Sequence, residues 1–218
     1  MDQQVTVFGT AYSVYVRSVR LALEEKGVPY RLEEIDVFAP DGPPAELLWR
    51  QPFGRIPAFE HRQGSSTFAL YETAAILRYV DEAFPGPELQ PTGPMRRARM
   101  NQLLSILDSY AYRTLVWDIY VERVSRPKEG ARSDEVRIAA ALPRAQTCLD
   151  AISALMESGP WLAGTDLSLA DLHAASIFAY FTQTEEAGTL LRSHDGLLRW
   201  WQEIRQRESM RRTAFASA

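Results

Sequence analysis

The chain has 218 residues, with 24 Lys and Arg against 28 Asp and Glu, a formal net charge of −4 and one cysteine. That length holds one or two domains with a sizeable core, and a single cysteine excludes an intramolecular disulfide framework. Three histidines and one cysteine argue against a dedicated zinc centre, a pI of about 5.5 against a general attraction to nucleic acid or anionic membranes, and the absence of any apolar run near ~18 residues against a bilayer span.

Met1-Asp2-Gln3-Gln4 lacks the basic and apolar regions of a secretory signal, so a soluble cytoplasmic protein is expected. Residues 5–8 are a β-prone run closed by Gly9. Residues 13–26 have helical periodicity, with Val16, Val19 and Leu23 on one face and Arg17, Arg20 and Glu24 turned away. Gly27 ends that helix and Pro29 blocks a restart. Tyr30, Leu32, Ile35 and Val37 predict a second strand whose phase breaks at Glu33-Glu34, followed by a turn-rich loop at 39–44 and a short helix at 45–50. Residues 56–60 and 67–71 predict two strands around the turn Gln63-Gly64-Ser65-Ser66, and residues 72–84 return to helical spacing.

Prolines and glycines then crowd residues 85–94 and mark a linker. Beyond it the pattern is helical at 95–124, at 133–158 with a kink expected at Pro143, and at 168–183, 185–192 and 197–210, with a charged break at 126–132. The order βαβ, ββα, then all helix predicts an α+β domain of thioredoxin type over residues 1–86 and an all-α helical bundle over 91–218.

Three short segments bear on chemistry. Ser13 stands at a strand-to-helix turn, where unpaired N–H groups and the helix dipole favour an anion; taken alone, the motif is better accounted for by a plain N-cap role. No Gly-x-Ser-x-Gly surrounds it, which argues against a serine nucleophile. Ile56-Pro57 stands where a strand should start, since proline has no N–H to give to a ladder. A cis bond there would turn the Ile56 backbone outward to pair with an extended peptide, and an ordinary trans proline in a turn is the alternative. Glu72-Thr73 begins the helix after the fourth strand. Its free N–H groups and the Thr73 hydroxyl would bind a carboxylate and Glu72 an ammonium, while a capping pair without ligand fits the same residues.

In this order and spacing the motifs resemble the glutathione transferase superfamily over nearly the whole chain, as a cytosolic, serine-type, bacterial-like member. Ser13-Val14-Tyr15-Val16-Arg17 through Gly27 looks like the family's first helix, Pro52-Phe53-Gly54-Arg55-Ile56-Pro57 resembles its cis-proline loop, and Glu72-Thr73 matches its Glu-Ser/Thr pair. Ser168-Leu169-Ala170-Asp171 resembles its buried capping motif, physically a capping box with a structural role.

The resemblance implies a thioredoxin-like glutathione-binding domain, an all-helical second domain, and glutathione as co-substrate with no metal. Ile56, beside Pro57, would pair with the cysteinyl backbone; Glu72 and Thr73 would bind the γ-glutamyl end, with Arg55 nearby. Ser13 would hydrogen-bond the thiolate and, with the helix dipole, lower a thiol pKa of ~8.5. Tyr12 is the alternative hydroxyl, because Val14 stands where many serine-type members carry proline. The loop at 39–44 has neither the His nor the Lys with which some classes hold the glycyl end, and the zeta-class Ser-Ser-Cys is absent.

The implied electrophile pocket lies between the domains, lined by Tyr12, Tyr110, Arg113, Trp117 and Phe178. Cys148 reads as a buried bystander. The implied activity is transfer of glutathione to a small apolar electrophile, in detoxification, by a cytoplasmic homodimer. A glutathione-dependent isomerase or dehalogenase, or a non-enzymatic binding module of the same fold, are the alternatives.

Overall fold

The computed structural model describes residues 3–215. Two compact units emerge: the residues up to Leu89 together with those from Glu208 onward, and Gln90–Arg207 between them. The predicted division at 86/91 therefore needs one correction, since the chain from Glu208 returns to the first unit. The outer ends of the two predicted domains, residues 1–2 and 216–218, lie outside the described residues.

The first unit contains β1 (Gln3–Phe8), α1 (Val14–Glu25), β2 (Tyr30–Glu33), α2 (Ala45–Arg50), β3 (Ala58–Gln63), β4 (Ser66–Tyr71) and α3 (Thr73–Ala83). The sheet order is β2-β1-β3-β4, with β1 parallel to β2 and the other pairs antiparallel. This is the predicted thioredoxin-like arrangement: a helical crossover joins the parallel pair and a tight turn joins the hairpin. Alternation along β1 buries Val5 and Val7, and α1 packs on that strand and on α3.

Two elements differ from their sequence pattern. β2 stops at Glu33, and Ile35 instead joins a small cluster with Phe8, Leu47 and Ala58, against which Val37 and Ile56 pack. α1 is buried on nearly every side: Arg17 and Arg20, expected to face solvent, are 6% and 9% exposed. The cause is a short terminal helix, α10 (Glu208–Arg212), which packs on that face.

The second unit is all helix. α4 (Pro94–Ile106) runs without a break into α5 (Leu107–Ser125), whose turns widen to i→i+5 spacing, and a last turn closes at Lys128. α6 (Glu135–Leu155) contains Pro143, and α7 (Leu169–Phe181), α8 (Glu185–Leu190) and α9 (Asp195–Ile204) follow. α7 is buried from Leu169 through Phe178, as a helix apolar all round must be.

The Ser168–Asp171 capping box anchors this unit. Asp171 is fully buried and accepts from Ser168 N and Oγ (2.8 and 2.6 Å), Leu162 N (2.7 Å) and Trp200 Nε1 (2.8 Å). One carboxylate thus ties the 161–164 turn, α7 and α9 together. Burial raises its pKa, opposed by those four donors. Among the described residues no helix is long and apolar enough to cross a membrane.

Candidate active site

The sheet register brings the three chemical segments together. Phe8, Ala58 and Tyr71 stand side by side on adjacent strands. β1 leaves that rung into Gly9–Ser13, β3 enters it from Arg55-Ile56-Pro57, and β4 leaves it into Glu72-Thr73. Adjacent strands are ~4.8 Å apart, so these segments share one end of three neighbouring strands. Gly9 is required there: its φ is +148°, and a Cβ would lie 2.5 Å from Val16 Cγ2 and 3.0 Å from Ile56 Cβ. The close approach seats Ile56 against the start of α1.

The Ile56–Pro57 bond is cis. The β3 ladder begins at Ala58, and among the described residues neither the Ile56 N–H nor its C=O makes a backbone hydrogen bond. The buried Gln51 steadies this loop by accepting the Arg55 N–H at 3.1 Å, while Arg55 itself is exposed. Glu72 has φ 71°, a left-handed conformation that costs a non-glycine residue about 1–3 kcal/mol and tends to occur at functional sites. It precedes α3, where Thr73 is 6% exposed.

Ser13 caps α1 in an extended conformation, and its Oγ accepts the Val16 N–H at 3.4 Å. Capping uses a lone pair and leaves the hydroxyl proton available for donation. The first turn of α1 carries no acidic residue, so its positive dipole end is not offset there.

Tyr12 is disposed differently. Its ring is 41% exposed, and its hydroxyl donates to Asp36 Oδ1 at 2.7 Å. Burial of the hydroxyl, then the bond to Asp36, pushes its pKa up to about 12. Asp36 also accepts the Phe38 N–H at 2.8 Å, so it ties the segment before α1 to the segment after β2. Sequence reasoning missed Asp36, because the broken phase at Glu33-Glu34 hides which residues of that loop turn inward.

The other predicted lining residues belong to the helical unit. Tyr110 is exposed on α5 and Trp117 half-buried. Arg113 is exposed and its Nε lies 3.3 Å from Asp118, a buried carboxylate also held by Arg137 and Arg144. Phe178 corrects the expectation: it is 0% exposed, edge-on to Trp200 at 5.0 Å and to Phe181 at 6.1 Å, a core residue of α7 rather than a pocket wall. Cys148 is buried, and burial pushes its thiol pKa up. A cleft of about 430 Å³ between the end of α6 and α9, beside Met156, Arg199 and Glu203, includes none of the predicted site residues.

Residues 12–83 match the family model described as "Glutathione S-transferase, N-terminal domain", and residues 110–208 match "Glutathione S-transferase, C-terminal domain". Glutathione S-transferase 4 of Zea mays is 30% identical over 210 residues, covering 96% of this chain and 92% of the relative. Probable glutathione S-transferase GSTF1 of Oryza sativa subsp. japonica is 29% identical over 217 residues, covering 98% and 97%. Among solved structures, glutathione S-transferase-I bound with the ligand lactoylglutathione is similar at a TM-score of 0.82 and 25% identity, covering 97% of this chain and 98% of that one.

Proposed function

Because the chain belongs to the glutathione S-transferase family, we propose that it binds glutathione at the Phe8–Ala58–Tyr71 end of the sheet and activates its thiol at the start of α1. The outward Ile56 N–H and C=O pair with the extended peptide as a strand edge would. Glu72, the Thr73 hydroxyl and the N–H groups opening α3 hold the γ-glutamyl ammonium and carboxylate, and Arg55 lies within the same loop.

Ser13 is a hydrogen-bond donor and not a nucleophile. Its O–H, with the α1 dipole, stabilises the thiolate and lowers the thiol pKa from ~8.5, so that the proton passes to solvent near neutral pH. The thiolate then forms a C–S bond to a small apolar electrophile, whose leaving group departs with the bonding pair. The observation that carries this assignment is the contrast between the two adjacent hydroxyls. Ser13 Oγ accepts a cap bond and keeps its proton to give, whereas the Tyr12 proton is already given to Asp36.

The reading extends to a cytoplasmic homodimer. Calorimetric titration with glutathione and turnover of a chloronitrobenzene electrophile test the activity, and sedimentation tests the dimer. Absence of both binding and turnover overturns the enzyme assignment.

A further inference from the structure

α1 carries two arginines that the proposed chemistry does not use, and both reach the far end of the chain. Arg17 Nη2 donates to the Met210 carbonyl at 3.1 Å and its Nε to Thr213 Oγ1 at 3.4 Å. Arg20 donates to the Thr213 and Arg212 carbonyls, each at 3.5 Å, and to the Tyr30 hydroxyl at 3.0 Å. Thr213 is fully buried, and its hydroxyl donates back to the Ser209 carbonyl at 2.8 Å. One turn further along α1, Ser209 donates to Glu25, and Arg212 lies 3.5 Å from Glu24.

Three of these acceptors are the carbonyls of Met210 and Arg212, in the last turn of α10, and of Thr213 just after it, at the helix end where carbonyls run out of intrahelical donors and carry the negative dipole end. A guanidinium is the side chain best shaped to hold two such oxygens at once. A buried guanidinium also needs them, since an unbonded buried charge is costly.

We infer that Arg17 is a positioning residue: by gripping residues 210–213 it fixes α1 along its axis, and with α1 the Ser13 hydroxyl one turn away. The Arg17 N–H bonds to the Ser13 carbonyl at 2.9 Å, so the two residues share one rigid turn. This rests on the proposed role of Ser13, where a displacement near 1 Å is enough to weaken a catalytic hydrogen bond.

The test compares Arg17→Met with the unaltered chain. The thiolate absorbance of bound glutathione is titrated against pH, together with glutathione affinity, the urea midpoint, and amide hydrogen exchange at residues 14–17 without glutathione. The expected result is a bound-thiol pKa raised by about one unit, a tenfold loss of thiolate at a given pH, with affinity nearly unchanged and faster exchange at 14–17. Thr213→Val removes one acceptor at constant volume and shifts the thiol pKa in the same direction. Combined with Arg17→Met it shifts the pKa by less than the two single shifts added.

A lowered urea midpoint with unchanged thiol pKa and unchanged exchange overturns the inference and leaves Arg17 merely structural. If the unaltered chain binds no glutathione, the proposed function fails instead, and the exchange at 14–17 still decides whether Arg17 governs this turn. If Arg17→Met does not fold, Thr213→Val decides by the same readouts.

Discussion

Tyr12 and Ser13 are neighbours in the chain whose hydroxyls serve different partners: Tyr12 gives its proton to Asp36 at 2.7 Å, and Ser13 receives one from the Val16 N–H at 3.4 Å. A hydrogen bond to a charged group contributes about 1.5–3 kcal/mol. Ser13→Ala is therefore expected to lower kcat roughly ten- to hundredfold, raise the pH at which the bound thiol ionises, and leave glutathione affinity nearly intact. Tyr12→Phe breaks only the link to Asp36 and is expected to change kcat by less than about threefold. Steady-state kinetics with a thiolate titration decide between them, and a damaging Tyr12→Phe beside a neutral Ser13→Ala reverses the assignment.

Asp171 accepts four hydrogen bonds in a site closed to water. Asp171→Ala strands Leu162 N, Ser168 N and Oγ, and Trp200 Nε1 together. The expected loss is about 3–5 kcal/mol in urea unfolding. A loss below about 1 kcal/mol would show that these donors find other partners.

Phe178 fills the centre of α7 against Trp200 and Phe181. Phe178→Ala is expected to cost about 3–5 kcal/mol of stability, as an unfilled cavity does. A pocket-wall residue would instead alter the KM for the electrophile at unchanged stability, so paired unfolding and kinetic measurements separate the two.

His61 sets a pH dependence in the first unit. It is buried, with Nδ1 2.8 Å from the Tyr79 hydroxyl and its ring 4.7 Å from that of Phe84, and burial lowers its pKa below 6.5. The unfolded chain thus takes up a proton near pH 6.5 that the folded chain still refuses. This contribution to stability is complete above that pH and declines as pH falls from there toward the folded value. Urea midpoints measured from about pH 5 to 8 should show that decline. His61→Phe should remove that part of the slope, and an unaltered slope would assign it to other groups.

Local chemistry made much of this fold legible. Ser168 and Asp171 are three residues apart and form a box that needs no distant partner. The missing N–H of Pro57 marks where β3 can begin, and the prolines and glycines at 85–94 separate the sheet from the helices. What could not be read depends on distant partners. Arg17 and Arg20 fall on the polar face of α1, and nothing in their spacing announces carbonyls more than 190 positions away. Phe178 lies in a helix apolar on every side, whose pattern cannot tell a wall from a core. The candidate site was legible as three motifs, while the proposed choice of Ser13 over Tyr12 rests on Asp36, in a loop without periodicity.

The return of α10 to α1 also bears on how the protein is made. Domains commonly fold in order as they leave the ribosome, at about 5–20 residues per second. Here the residues that cover Arg17 and Arg20 emerge only after the whole of Gln90–Arg207, on the order of ten seconds after the sheet. Residues 3–89 alone hold the four strands but lack the acceptors for Arg17 at Met210 and Thr213. The first unit is thus discontinuous in the chain, and α1 gains the acceptors for Arg17 and Arg20 only once residues 208–213 have been made.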